Sequence, residues 1–281
     1  MINLNGTLTD TSTPLTLDNR GFAYGDALFE TLKVVHGKLL FWEDHYFRLM
    51  ASMRILRMDI PMSFTMEFLE AEILKTLEAN SLLDKTVRVK LTVFRNPGGL
   101  YLPEDQTVSY TIATKILDSD FYLIDEAPYV VDLYKDFYVA PGLLSTLKTN
   151  NKVLHVTGSI YAHENDWQNC LLLNTNKQVV EALNGNVFLV KGSTIKTPPL
   201  EDGCLKGIMR KQLIDIIKTL GDSYTLEEVS ISPFELQQAD ELFITNVITG
   251  IQPITKYRKK AYDTAVSKLL LGKLNVKIRL A

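Results

Sequence analysis

Between Tyr129 and Val190 the chain sets out an apolar strand, a helix and then more apolar strands, and that order limits the fold more than any other feature. YVVDLYKDF (129–137) reads as a strand, TNNKVLHVTGSIYA (149–162) carries its apolar residues at helical spacing, and CLLL, QVVE and NVFLV follow as short apolar runs. Strands on either side of a crossover helix run the same way, whereas strands joined by a tight turn such as Leu183-Asn184-Gly185 run opposite ways. The region therefore suggests a mixed sheet folded toward a barrel.

Lys148 stands where an apolar run stops and this helical pattern begins. A lysine at such a junction either sits in water or points into a cavity. Its company favours the cavity. Glu181 closes the strand QVVE, and GCLKGIMR (203–210) reads as a loop that brings the backbone N–H groups of Gly207, Ile208 and Met209 to the start of a helix. A helix N-terminus of this kind suits a phosphate. Amine, carboxylate and phosphate cradle are the three handles of pyridoxal phosphate.

Together with GFAYGDALFET (21–31) and HYFRL (45–49), these motifs resemble the class IV pyridoxal-phosphate family, from about Asn19 to Ile254. That family holds branched-chain aminotransferases, D-amino-acid aminotransferases and aminodeoxychorismate lyases. The resemblance implies an α+β, two-domain class IV fold, with a small N-terminal α/β domain and a larger barrel-like domain. DSDFYLIDEAP (118–128) loses the strand pattern and marks the boundary, giving domains 1–118 and 119–281 with Lys148 in the second.

The resemblance also assigns roles. Lys148 would hold the cofactor and move protons, and Glu181 would pair with the pyridine nitrogen. Arg48 and the amides of Gly207, Ile208 and Met209 would hold the phosphate, with further contacts from Asn246 and Val247 at a strand tip. Many relatives have threonine where Met209 stands, so Met209 would offer its amide alone. Phe22 and Tyr24 would line the substrate site. In the loop RNPGGLYLPEDQ (95–106), Leu100 replaces an arginine of the lyase-type pattern RGxGGRGY, so Arg95 or Arg88 would have to meet the substrate carboxylate. KTNNK is closer to the lyase and D-aminotransferase pattern, GIMR is similar to the lyases and Leu100 departs from them, which leaves a lyase expected and an aminotransferase acting on branched-chain or D-amino acids as the alternative. Relatives form dimers, so a homodimer is expected.

Composition narrows the partners. A chain of 281 residues can bury two modest cores, and 46% hydrophobic with 22% charged residues is ordinary for a globular protein. A net charge of −3 without a basic stripe gives nucleic acid no footprint, so the partner expected is a small-molecule amine. Cys170 and Cys204 fit neither a metal pattern nor a disulfide framework. With no leader pattern and no run of eighteen apolar residues, no membrane partner is expected and a cytoplasmic enzyme is the default.

Local signals complete the reading. MINLNGTLTD suggests a hairpin at Asn-Gly, and WEDHYFRLMASMRIL a helix in which His45 is structural. Ser63 can cap FTMEFLEAEILKTLEAN. TVRVKLTVF alternates as a strand, with Arg88, Lys90 and Thr92 expected to face water. Ser232 and Glu235 form a capping box, and Gly221 stops the helix that follows the phosphate loop.

Overall fold

A computed structural model describes residues 1–10 and 16–280, which divide into two compact units. The first comprises 1–120 and 148–151, the second 121–147 and 152–280.

The first unit is built on a six-stranded antiparallel sheet. Its strands are β1 (Ile2–Leu4), β2 (Thr7–Thr9), β3 (Ala27–Val35), β4 (Lys38–Leu39), β5 (Thr86–Arg95) and β6 (Val108–Ile116), in the order β2-β1-β6-β5-β3-β4. Asn5 and Gly6 both take positive φ, 51° and 85°, as a two-residue hairpin turn between twisted strands requires. One face of the sheet buries Leu28, Leu32, Val34, Val87, Val89, Leu91 and Val93 under helices α2 (Trp42–Ile55) and α3 (Met66–Ala79). The indole N–H of Trp42 donates to the carbonyl of Met66 and ties the two helices together. The cap of α3 is Thr65, whose hydroxyl accepts the Phe68 N–H; Ser63, the expected cap, lies two residues too early to reach that donor.

The opposite face carries Phe29, Thr31 and Lys33 from β3, Arg88, Lys90 and Thr92 from β5, and Lys115 from β6. It is not the open, watered face expected from the alternation of β5. Lys33 is only 3% exposed, and Arg88 and Lys90 are half-buried.

Lys148 belongs to this first unit, which corrects the expected boundary. Residues 148–151 leave the second unit's chain to pair with the start of β3. The Phe29 N–H donates to the Lys148 carbonyl at 2.9 Å, the Asn150 N–H donates to the Ala27 carbonyl at 3.0 Å, and Leu28 and Thr149 form an antiparallel bridge. Gly25 makes room for this insertion. Its φ is +66°, and a Cβ there would collide with the side chain of Asn151.

The second unit holds the mixed sheet. Its strands β7 (Val130–Val139) and β8 (Asn169–Asn174) are parallel, joined through α4 (Val153–Glu164) as the strand–helix–strand order predicts. β9 (Val179–Ala182) and β10 (Gly185–Lys191) continue antiparallel, followed by β11 (Thr194–Thr197), β12 (Thr225–Glu228), β13 (Glu241–Asn246) and β14 (Gly250–Ile254). Helix α5 (Ile208–Lys218) buries Ile208, Leu213, Ile216 and Ile217, and Gly221 follows its last turn. The Glu235 carboxylate accepts the Ser232 N–H, the half of the expected capping box that persists at the short helix α6 (Glu235–Gln238). At the far end, Glu241 accepts the first N–H groups of α7 (Ala265–Leu280) from Val266 and Ser267. Among the described residues no helix is long and apolar enough to cross a membrane.

Candidate active site

In the first unit, β3 presents two kinds of chemistry on its two faces. Phe29 lies on the cationic face, with the Lys148 ammonium 4.5 Å and the Lys90 ammonium 4.9 Å from its ring centroid. An aromatic face attracts a cation electrostatically, so Phe29 gives both amines a seat on one ring. Lys33, Arg88 and Lys115 are direct cross-strand neighbours in the next rows. Like charges placed opposite one another repel. Burial brings the Lys33 amine down to about 8 despite the nearby Asp120 carboxylate, and burial together with the Arg88 charge lowers that of Lys90. Among the described residues neither Arg88 nor Lys90 has a carboxylate within ion-pair distance.

On the other face of β3, Glu30 accepts from His45 Nδ1 at 2.6 Å and from Arg48 Nε at 2.8 Å, with Arg48 Nη2 on its second side. All three side chains are buried. Burial alone would raise the Glu30 carboxyl, but the Arg48 charge and the His45 hydrogen bond more than reverse this and hold it at about 2. His45 is likewise held below its ordinary value, its burial outweighing the Glu30 carboxylate. Its Nε2 is buried without a partner, so the proton sits on Nδ1 and the ring is neutral. Arg48 is thus braced by a buried carboxylate, and His45 packs in the same buried cluster.

Arg95 is a correction. Its Nε donates to Asp26, Nη1 to the Arg57 carbonyl and Gln106, and Nη2 to the Leu56 carbonyl. With every nitrogen engaged, four of its five N–H donors in use and the residue 5% exposed, it clamps its loop rather than facing a substrate. Arg20 acts similarly, pairing with Asp26 and donating to the carbonyls of Gly98 and Leu100. Phe22 and Tyr24 are not core residues. Phe22 is 72% exposed, and the Tyr24 ring, itself exposed, lies 5.9 Å from that of the more exposed Tyr101.

In the second unit, Glu181 lies buried on β9. Its Oε2 accepts the Leu205 N–H at 2.9 Å, and its Oε1 is 3.5 Å from Nε2 of His155. Burial depresses the Lys152 amine at the head of α4, with Glu181 pulling the other way. Gly207 caps α5 and offers no side-chain acceptor to its first turn. Gly207 is required there, since a Cβ would strike Asn186, whose amide donates to the Leu205 carbonyl at 2.9 Å. Met209 is 1% exposed, so its side chain is core and only its amide is offered. Asn246 accepts the N–H groups of Ile248 and Thr249 and so shapes the turn between β13 and β14, while Val247 accepts the Tyr122 hydroxyl on its carbonyl.

An amine, a buried carboxylate and a helix start without a side-chain cap are the donor set that pyridoxal phosphate needs, and the amino-transferase class IV family matches residues 27–257 of the chain. The chain belongs to that family. Class IV aminotransferases are pyridoxal-phosphate enzymes. A putative branched-chain-amino-acid aminotransferase of Methanocaldococcus jannaschii is 30% identical over 90% of this chain and 86% of its own length. An aminodeoxychorismate lyase of Vibrio harveyi is 26% identical over 94% and 96%. The crystal structure of 4-amino-4-deoxychorismate lyase from Pseudomonas aeruginosa superposes with a TM-score of 0.82 at 25% identity, covering 98% of both chains. The fold is the two-domain α+β fold of this family.

Reading the sequence alone missed Lys33 and the joint role of Glu30 with Arg48, and set Lys90 in water. The signal for Glu30 was its even position on a strand whose even residues are otherwise apolar. His155 was passed over as one more residue in a helical pattern.

Proposed function

We propose that this chain is an aminodeoxychorismate lyase, converting 4-amino-4-deoxychorismate to 4-aminobenzoate and pyruvate for folate synthesis, in the cytoplasm. The observation that supports this most is the cationic face of Lys33, Arg88, Lys90 and Lys115 on the same side of the sheet as Phe29. Arg88 and Lys90 are half-buried, and a low local dielectric enlarges their attraction for anions. The lyase substrate carries two carboxylates, one on the ring and one on the enolpyruvyl group. A branched-chain amino acid carries one, beside an apolar side chain.

Pyridoxal phosphate, when bound, supplies the electron sink. Lys148 would hold the cofactor through its amine and would act as the base for the substrate's ring proton at the amine-bearing carbon. Loss of that proton and breakage of the ring C–O bond release the three-carbon unit as pyruvate and leave an aromatic ring. Atoms balance without water or oxidant. Glu181 keeps the pyridine nitrogen protonated, Arg48 and the amides of Gly207, Ile208 and Met209 take the phosphate, and Asn246 and Val247 set the neighbouring turn. Arg88 serves the carboxylates. Phe22 and Tyr24 contribute at the substrate entrance.

The test follows 4-aminobenzoate and pyruvate together after mixing cofactor-loaded protein with 4-amino-4-deoxychorismate. Equal amounts of both are expected. Arg88→Ala is expected to raise KM roughly tenfold or more, the loss of a charge-assisted contact. Amino exchange between branched-chain amino acids and keto acids, with neither product formed, would mean an aminotransferase, the activity carried by the M. jannaschii relative's name.

We also propose a homodimer. Leu100, Tyr101 and Leu102 are 76%, 90% and 81% exposed at one loop tip, an apolar surface that a second copy would cover. Light scattering is expected to return twice the 31.8 kDa chain mass. A single-chain mass at micromolar concentration would end this reading.

A further inference from the structure

Glu181 is flanked from one direction by the first turn of α4, and that turn carries a histidine. His155, Gly158 and Ala162 lie along the inner side of the helix; a Cβ on Gly158 would strike Leu183 and crowd Tyr134, so the helix sits hard against the sheet there. This close packing holds the His155 ring beside the strand that bears Glu181. Nε2 is 3.5 Å from Glu181 Oε1, while Nδ1 is buried with no hydrogen-bond partner.

That asymmetry determines where the imidazole proton sits. A proton on Nδ1 would be a buried donor with nothing to receive it, whereas a bare Nδ1 leaves only an unused lone pair. The tautomer with the proton on Nε2 is therefore favoured, and Nε2 is the ring nitrogen nearer the carboxylate. Oε2 already accepts the Leu205 N–H. Oε2 of Glu181 thus has one hydrogen-bond donor, and Oε1 has the His155 nitrogen at 3.5 Å, a distance that closes to a hydrogen bond with a small turn of either side chain.

We propose that His155 is a positioning residue for the cofactor: it orients Glu181 and stabilises it as an acceptor, so that the proton shared between Glu181 and the pyridine nitrogen stays on the nitrogen. This rests on the reading of Glu181 as the pyridine partner. A donor to a carboxylate oxygen favours the charged form. Without that donor the shared proton moves toward Glu181, and the ring becomes a weaker electron sink. His155 touches neither substrate nor cofactor in this role. Lys152, three residues earlier, adds a positive group within electrostatic range of Glu181 without a hydrogen bond to it.

The experiment uses holoenzyme loaded with cofactor labelled with nitrogen-15 in the ring, and three chains: wild type, His155→Leu and His155→Gln. Glutamine can place an amide N–H near the site of Nε2; leucine fills the space without a donor. The wild-type nitrogen signal is expected in the protonated range, the leucine variant's shifted toward the unprotonated range, and the glutamine variant's restored. Turnover is expected to follow, falling about tenfold in His155→Leu with KM changed less than twofold, and recovering in His155→Gln. Identical nitrogen signals in all three chains would overturn the proposal, as would a loss in both variants accompanied by equally lowered melting temperatures, which is the mark of packing alone. Failure of the wild type to take up the cofactor would instead overturn the functional reading beneath it.

Discussion

Lys148→Ala is expected to lower turnover by about a thousandfold or more while leaving the fold intact. A positioned acid–base group contributes roughly 10²–10⁴ in rate, and the covalent hold on the cofactor goes with it. The fold survives because the segment is held through its backbone: the Lys148 carbonyl accepts from Phe29 and the Asn150 N–H donates to Ala27, and neither bond involves the lysine side chain. The melting temperature should stay within about 3 °C, since a substitution that removes no core packing changes stability little.

The choice of Lys148 can be tested against rivals. Lys33, Lys90 and Lys152 all have amines made easier to deprotonate by burial, Lys33 to about 8, so proton affinity alone would favour Lys33 as the reactive amine. Geometry separates them. Lys33 sits in a cationic row that would repel an incoming iminium-type charge, whereas Lys148 lies on an aromatic ring at the end of a segment that crosses from one unit's chain into the other's sheet. Borohydride treatment of the loaded wild type, followed by peptide mapping, is expected to fix the cofactor to the peptide containing Lys148. Recovery of the label on Lys33 or Lys152, or turnover of Lys148→Ala within tenfold of wild type, would show that the amine had been misassigned.

The same residues show how far sequence can carry such an argument. Local order was readable: helical spacing at 149–162 predicted α4, the apolar runs beside it predicted parallel β7 and β8, and the Asn5-Gly6 pair predicted the opening hairpin. The strand that bears Glu181 and the start of α5 were readable because each is a regular element with a clear end. What sequence could not supply was register. Lys33, Arg88 and Lys115 are separated by tens of residues, and only the pairing of β3 with β5 and β5 with β6 sets them side by side. Alternation said that Arg88 and Lys90 share a face, and an ordinary solvated face was the natural inference. Arg95 failed for a related reason: its partners Asp26, Arg57 and Gln106 come from three separate loops, which no periodicity links to it. The placement of Lys148 in the first unit is likewise a long-range fact, because it depends on β3 offering an unpaired edge to 148–151.

Glu30→Ala is expected to be the most destabilising single change outside the apolar core. It would take away the carboxylate that pairs with the buried Arg48 side chain, beside a His45 whose only hydrogen-bonded nitrogen has lost its acceptor. Breaking a buried pair by removing one member typically costs about 3–5 kcal/mol, since the remaining charge is uncompensated. For a protein of this size the melting temperature should fall by roughly 10 °C. The triad also sets a direction for acid stability. Glu30 has a folded-state pKa of about 2 against 4.5 for the free group, so its contribution is complete above pH 4.5 and is lost as pH falls toward 2. A shift of that size corresponds to stability on the order of 3 kcal/mol. His45 acts in the same sense at higher pH. Its folded-state pKa lies below 6.5, so unfolding takes up a proton and stability begins to decline as pH drops below 6.5. Melting curves from pH 7 to pH 3 should therefore show a progressive loss in the wild type and a flatter profile in Glu30→Ala, which starts lower. Parallel profiles for the two chains would show that this carboxylate carries no net charge-dependent stability, and would locate the acid sensitivity elsewhere in the protein.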